Sequence, residues 1–378
     1  MSPDGCKVTG GCPPSDLGAP LETWMAIVGG TPTNVAGTGH CGWLAFYAAL
    51  LNESNELQEP SPQTAEAARN LKRLVINGML SNLRDECRLK PEEMEAELRA
   101  SGSTPREEAS LEEKCCALAD HYAAQRKQAM RSYMPLNFWV RPAHLKAMAM
   151  HARESLYVLD VRQNGATTAQ MYAYTDQKLP DGENIETRVN QPMESGMAIQ
   201  MLQELVGAGA LPLVLILRWT EAGNHFQAVT YDQEQHAEYM DQYDEYINAR
   251  NGILEKYGCS RLDVQPYDRV KTTRAAAKEL KIIRRAVKKL KASSNGKVEE
   301  EAETRQSTGR NENSQRSALE EPGKDVEPRD TEGKQRTMQP GRQLSSQTAV
   351  NESEGGLEKA VKRMVQQQQQ IAFGRTQK

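Results

Sequence analysis

The sequence contains no long apolar run and no regular cysteine pattern. A membrane-spanning helix needs about 20 consecutive apolar residues, and the apolar run Leu211–Leu217 is far shorter. Residues 1–20 lack the apolar segment of a secretory signal, so we expect no cleaved leader. The seven cysteines have neither metal-ligand spacing nor the density of a disulfide framework, which fits a reducing compartment. We therefore expect an intracellular protein, cytoplasmic or nuclear, without a membrane segment, a bound metal or a cofactor.

Aromatic residues and net charge are also low. Aromatics make up 5% of the 378 residues, and after Tyr267 only Phe373 remains. The mean hydropathy of -0.70 is low for a globular chain, and the polar excess lies mainly in the last third. A net charge of -4 gives no general reason to expect a nucleic-acid partner. These features predict one folded domain with appended polar segments.

The spacing of apolar residues divides the chain into four segments. Residues 1–20 are rich in Gly, Pro and Ser and predict a flexible arm, whereas apolar residues recur regularly over 21–233. Residues 234–292 predict a helical extension. Residues 293–378 are dominated by polar and charged side chains, so we expect a disordered tail.

Apolar periodicity within 21–233 predicts helices followed by a small sheet. A period near 3.6 indicates a helix, whereas alternation or a short buried run indicates a strand. The predicted helices are Cys41–Leu51, Ala65–Asn82, Pro91–Ala100, Leu111–Arg131, Arg141–Met150 and Met197–Leu205. The predicted strands are Leu156–Val161, Ala169–Tyr174, Leu211–Arg218 and Phe226–Tyr231. This order favours an α/β or α+β class over a doubly wound sheet.

The extension contains two predicted helices of opposite charge. Gln233–Gly258 is acidic and carries tyrosines, with apolar residues near heptad spacing that are typical of a coiled coil. Val270–Ala292 is basic and amphipathic, and its apolar residues are spaced 4, 3, 4 and 3. The basic helix predicts a partner-facing surface, with a nuclear-localisation patch or a nucleic-acid contact as alternatives.

One cysteine lies at a position that suits a nucleophile. Cys41 follows the glycine-flanked turn Gly37–His40 and begins an apolar helical run. The positive end of a helix dipole favours the thiolate form of a cysteine placed there. Gly37 and Gly39 would allow a tight turn of the loop Thr38–Gly39–His40, which would direct amide groups at an oxyanion. We expect His40 itself to lie on the loop surface.

A histidine far along the chain is the predicted proton shuttle. His225 begins a short apolar strand, and a histidine beside a thiol can act first as general base and then as general acid. Gln227 lies two residues on and shares its strand face, so its side-chain oxygen could accept the imidazole Nδ1–H. Asn34, near the nucleophile turn, is the alternative orienting residue. The combination predicts a cysteine hydrolase without metal.

These motifs resemble the ovarian-tumour (OTU) family of papain-like cysteine proteases. The family's Asp-Gly-Asn-Cys signature corresponds here to Thr38–Cys41, and the helix after it is rich in apolar residues. The family's middle block corresponds to Trp139 and the segments His144–Ala149 and Leu156–Val161, and its closing block to Leu213–Leu217 and His225–Val229. The resemblance implies an α+β fold with a small mixed sheet between helices. It also implies hydrolysis of isopeptide bonds to ubiquitin or a ubiquitin-like protein, with such conjugates as partners.

Two positions depart from the family pattern. Thr38 replaces the signature Asp, and Gln227 replaces the Asp or Asn usually found two residues after the histidine. Three interpretations follow: a weak protease, a protease with a rearranged orienting residue, or a fold retained for binding. The alternatives to catalysis are therefore an OTU-like protein-binding module that assembles through 233–292, and a nucleic-acid-associated factor that acts through 270–292.

Overall fold

The sequence folds into helices and a single mixed sheet in a computed structural model. The structure describes residues 18–106, 108–178, 184–192, 194–220, 223–259 and 269–308. The chain falls into two units, Met1–Lys289 and Leu290–Lys378. Residues 1–17 of the arm predicted over 1–20, and residues 309–378 of the tail predicted over 293–378, lie outside the described residues. Residues 293–308 are helical, so the disorder predicted for them is wrong. Within the described part of the chain, no helix is both long enough and apolar enough to cross a membrane.

Most of the helices precede Leu156, where the first of the longer strands begins. The helices are α1 (Leu21–Val28), α2 (Cys41–Leu51), α3 (Pro62–Ser81), α4 (Leu83–Leu89), α5 (Pro91–Ser101), α6 (Leu111–Lys127), α7 (Pro142–Ala152), α8 (Ser195–Gly207), α9 (Gln233–Asp241), α10 (Tyr243–Lys256) and α11 (Arg269–Thr308). The strands are β1 (Thr31–Thr33), β2 (Leu156–Val161), β3 (Thr167–Lys178), β4 (Asn184–Pro192), β5 (Leu213–Thr220) and β6 (Gly223–Thr230). A short 3-10 helix covers Leu136–Phe138.

The sheet has six strands in the order β1-β6-β5-β2-β3-β4. The β2–β5 pair is parallel, and the other four neighbouring pairs are antiparallel. Mixed pairing together with these helices confirms the predicted α+β class.

Helices cover both faces of this sheet. Successive strand residues point to opposite faces, and on β5 Leu215 belongs to the apolar cluster that includes α2, α3 and α6. Its neighbours Val214 and Ile216 belong to a second cluster, which includes α1, α8 and α10. The central strands are therefore buried on both sides, and the site described below lies where β5 ends and β6 begins.

Local sequence signals explain several helix boundaries. Ser61 caps α3 by accepting a hydrogen bond from the Thr64 N–H at 3.2 Å, and Pro62 occupies the first helical turn. Ser110 and Glu113 form a capping box at the start of α6. The predicted bounds of α2 and β2 coincide with the observed ones.

Other elements differ from prediction. The helix predicted over Gln233–Gly258 is interrupted at Gln242, which separates α9 from α10. The strands β1 and β4 were not predicted: β1 has only three residues, and Asn184–Pro192 is mostly polar, although Ile185, Thr187 and Val189 alternate with polar residues. The helices α1 and α4 were also missed because each is short.

The helical extension packs into the same two apolar clusters as residues 21–233. Tyr246 and Leu254 of α10 are buried in the second cluster. Ala276, Leu280 and Ile283 of α11 are buried in the first. These apolar residues of the extension are thus buried within the chain, and α11 continues past the predicted end at 292.

Candidate active site

Cys41 is the first residue of α2, and the helix start surrounds its thiol with backbone donors. The His40 carbonyl accepts hydrogen bonds from the N–H groups of Trp43 and Leu44 at 2.9 and 3.0 Å. The N–H groups of Cys41 and Gly42 come before the first residue with an intrahelical acceptor. Both N–H groups act on the thiol and favour its thiolate form. The predicted placement of a cysteine at a helix N-terminus is therefore present in the structure.

The thiol lies beside the strand that carries the predicted histidine. The backbone N–H of Phe226 on β6 also acts to lower the pKa of Cys41. A backbone donor has this effect only at close range, so the sulfur lies next to the residue that follows His225. The packing of Gly42 agrees, since a Cβ there would lie 3.2 Å from the Phe226 ring.

Asn34, and not Gln227, is the hydrogen-bond partner of His225. The imidazole Nε2 lies 2.9 Å from Asn34 Oδ1. Asn34 directly follows β1, which is antiparallel to β6 with Thr33 opposite Ala228. The next residue along β1 therefore comes alongside the start of β6. The bond is made by Nε2 rather than by the Nδ1 that we predicted, and Nδ1 is then the nitrogen left to receive a proton.

Gln227 instead links Asn34 to an arginine. Its side-chain oxygen accepts a hydrogen bond from Arg218 Nε at 2.6 Å, and its amide nitrogen lies 3.5 Å from Asn34 Oδ1. No direct bond between Gln227 and His225 is formed among the described residues. The sequence argument did not include Arg218, although its position opposite His225 on the neighbouring strand shows why it lies here.

The loop before Cys41 (residues 37–40, called the nucleophile loop below) is held by a second loop, residues 128–134, which sequence reasoning missed. The Met134 N–H donates to the Thr38 carbonyl at 2.8 Å, and Trp139 Nε1 donates to the Met134 carbonyl at 3.0 Å. Gly39 has φ +86°, and a Cβ at this residue would lie 2.5 Å from Met134 O and 2.6 Å from Trp139 Nε1. Gly39 is therefore required for its backbone angle and for close packing. Gly37 has neither constraint.

His40 is buried, so the prediction that it lies on the loop surface is wrong. Its side chain is 0% exposed, and burial together with nearby Lys72 lowers its pKa to about 4. Carbonyl groups of Ser132 and Ala129 partly oppose this shift. Lys72 is also fully buried and donates to the Gln128 carbonyl at 2.5 Å. The imidazole and the ammonium group thus lie between the nucleophile loop and the 128–134 loop.

The Thr38 side chain does not replace the support of the family's Asp. Its Oγ1 is buried and makes no hydrogen bond to any described residue. Only the backbone of Thr38 contributes, through the carbonyl bonded to Met134.

Both proposed reacting groups are neutral in this arrangement. Cys41 is 5% exposed, and burial raises the pKa of its thiol more than the backbone donors lower it. Partial burial, and then the charge of Arg218, lower the pKa of His225. If the two side chains react with each other, a neutral thiol and a neutral imidazole require proton transfer to accompany attack.

The remaining findings concern metals and known proteins. The described residues contain no cluster of three or more His, Cys, Asp or Glu side chains arranged to hold a metal ion. No protein-family model matches the chain, and comparisons with curated proteins and with solved structures gave no match.

Proposed function

We propose that this protein is an OTU-like cysteine hydrolase that cleaves isopeptide bonds to ubiquitin or a ubiquitin-like protein. The observation that carries the proposal is the convergence of the Cys41 thiol, at the start of α2, with the β6 segment that begins at His225. The hydrogen bond from His225 to Asn34 supplies the orienting contact that such chemistry needs. The substrate class rests on the resemblance to the OTU family.

The proposed reaction has two steps. The Cys41 S–H proton passes to His225 Nδ1 while the sulfur attacks the carbonyl carbon, and the N–H groups of Cys41 and Gly42 face the developing oxyanion. The imidazolium returns the proton to the departing lysine amine as the C–N bond breaks, leaving a thioester. Water then attacks the thioester with His225 as base, which restores the thiol and releases a carboxylate.

The glycines near the nucleophile serve packing in this proposal and do not widen the cleft. The space beside Gly39 is filled by Met134 and Trp139, and the space beside Gly42 is filled by Val140. Gly223, the first residue of β6, packs against the Trp139 ring, because a Cβ there would be 3.3 Å from it. Gly39 and Gly42 therefore have a packing role in this proposal.

A binding module without catalysis is the second candidate. The observation that favours it is the burial of Cys41 together with the raised pKa of its thiol, since structural cysteines share both features. The hydrolase requires a Cys41 thiol that is more reactive than a thiol of its low exposure would ordinarily be, whereas the binding module does not.

Thiol alkylation and a ubiquitin C-terminal electrophile together test the proposal on the full-length chain. Cys116 on α6 provides an internal control, because it is more exposed than Cys41 and its pKa is also raised by partial burial. A catalytic Cys41 reacts with iodoacetamide faster than Cys116, and it slows in His225→Ala and Asn34→Ala. It also forms a ubiquitin adduct that is lost in Cys41→Ala.

A Cys41 that reacts more slowly than Cys116 and forms no adduct with ubiquitin-like probes would support the binding module. Circular dichroism of each variant confirms that the fold is retained.

A further inference from the structure

Four side chains at the β5–β6 end of the sheet form a chain of hydrogen bonds. Arg218 Nε donates to Gln227 Oε1 at 2.6 Å, Gln227 Nε2 reaches Asn34 Oδ1 at 3.5 Å, and His225 Nε2 reaches the same oxygen at 2.9 Å. Three of these side chains, those of Gln227, Asn34 and His225, can each present either a donor or an acceptor to a neighbour. The glutamine and asparagine amides can each turn by half a rotation, and a neutral imidazole can carry its proton on either nitrogen.

Arg218 is the group that removes this ambiguity. A guanidinium has five N–H donors and no acceptor, so the oxygen of Gln227 must face it. The amide nitrogen of Gln227 is then directed to Asn34, which must present its oxygen. Because that oxygen only accepts hydrogen bonds, His225 must hold its proton on Nε2.

We propose that Arg218 is a positioning residue that fixes the tautomer of His225 through Gln227 and Asn34. The inference deepens the proposed function and rests on it for its catalytic meaning. With the proton on Nε2, the Nδ1 lone pair is free to receive the proton of Cys41. Without Arg218, both amides can turn, and the Nδ1–H form that cannot act as a base becomes populated.

The strand register explains why an arginine suits this position. Arg218 lies directly opposite His225, and Ile216 lies opposite Gln227. Side chains that are opposite each other share a face of the sheet. The guanidinium can thus reach past His225 to Gln227, and its charge also disfavours protonation of the imidazole. A neutral side chain at residue 218 would remove both effects.

The tautomer can be measured directly in the full-length protein. Long-range 1H–15N correlation separates the two neutral forms of each imidazole, and His225→Gln assigns the signal among the six histidines. We expect the Nε2–H form in the wild type at pH 8. We expect a measurable share of Nδ1–H in both Arg218→Met and Gln227→Met, since the second variant breaks the relay and keeps the charge.

Two control variants separate the relay from charge and from folding. Arg218→Lys keeps a side chain that donates hydrogen bonds and cannot accept them, so it should retain the Nε2–H signal of the wild type. Arg162→Met removes an exposed arginine at the end of β2 and should leave the signal unchanged. The rate of Cys41 alkylation should fall in Arg218→Met and Gln227→Met in proportion to the share of the Nε2–H form that is lost, since the wrong tautomer removes the base.

The outcomes distinguish the two proposals. An unchanged Nε2–H signal in folded Arg218→Met and Gln227→Met overturns the positioning role, whatever the reactivity of Cys41. A changed signal with a Cys41 that is unreactive even in the wild type supports the role in fixing the tautomer and rejects the hydrolase.

Discussion

Replacing Gly39 with alanine should destabilise the nucleophile loop far more than the same change at Gly37. Gly39 has φ +86°, whereas Gly37 lies outside the positive-φ region. A Cβ at residue 39 would meet Met134 O at 2.5 Å, and that oxygen is backbone, which cannot turn aside as a flexible side chain would. A Cβ at residue 37 would meet nothing within 4 Å.

The magnitude follows from two contributions. A residue with a Cβ in the left-handed region costs about 1–2 kcal/mol. The forced displacement of Met134 and Trp139 resembles overpacking, which costs about 1–3 kcal/mol. Gly39→Ala should therefore lower the free energy of unfolding by about 2–5 kcal/mol. Gly37→Ala should raise it by up to about 1 kcal/mol, because alanine restricts the unfolded chain.

Urea unfolding of the two full-length variants measures the difference, with intrinsic fluorescence as the probe. The alkylation rate of Cys41 should also change in Gly39→Ala, because the shifted loop displaces the start of α2. The reasoning is refuted if the two variants unfold within about 0.5 kcal/mol of each other, a spread typical of surface substitutions.

Three further predictions concern buried polar groups. Arg250→Met should destabilise the protein by about 3–5 kcal/mol in urea, because it leaves the largely buried Glu154 carboxylate without its cationic partner. The exposed pair of Lys256 and Glu204 offers the control, and Lys256→Met should leave the midpoint unchanged. The pKa of His40 is lowered from 6.5 to about 4 by folding. Between these two pH values the unfolded chain therefore carries a proton on this imidazole and the folded chain does not. Stability should accordingly fall as the pH drops from 7 to 5, and His40→Gln should remove about 1–2 kcal/mol of that loss; identical urea midpoints against pH in the two proteins would contradict this. Thr38→Ala should keep stability within about 0.5 kcal/mol, since its buried hydroxyl makes no hydrogen bond to lose, and a larger loss measured in urea would reveal a contact for that hydroxyl.

The elements that sequence predicted well are those whose burial is complete. The helix α2 is buried over Cys41–Ala48, and β2 is buried at all its residues except Asp160, so unbroken apolar runs marked their bounds. The strand β4 pairs with β3 and is mostly polar. The alternation of Ile185, Thr187 and Val189 with polar residues was a local signal for a strand, but it is weak because only two of the three are apolar.

The candidate site shows the same division between local and distant information. The residue types and local settings of Cys41 and His225 were visible in the sequence. The choice between Gln227 and Asn34 depended on how β1 aligns with β6, and Asn34 and His225 are 191 residues apart. His40 was misjudged because its neighbours Lys72, Ala129 and Ser132 come from distant segments of the chain.

The structure also gives a physical reason why two departures from the OTU pattern are compatible with a hydrolase. An orienting residue must present an acceptor to one imidazole nitrogen while the other faces the thiol. Asn34 meets the first requirement from β1, so neither Thr38 nor Gln227 has to supply that acceptor. A neutral amide stabilises an imidazolium less than a carboxylate would, and Arg218 opposes that charge further. If the proposed hydrolase is correct, this arrangement favours a neutral base that takes its proton as the sulfur attacks, and it disfavours a preformed thiolate–imidazolium pair.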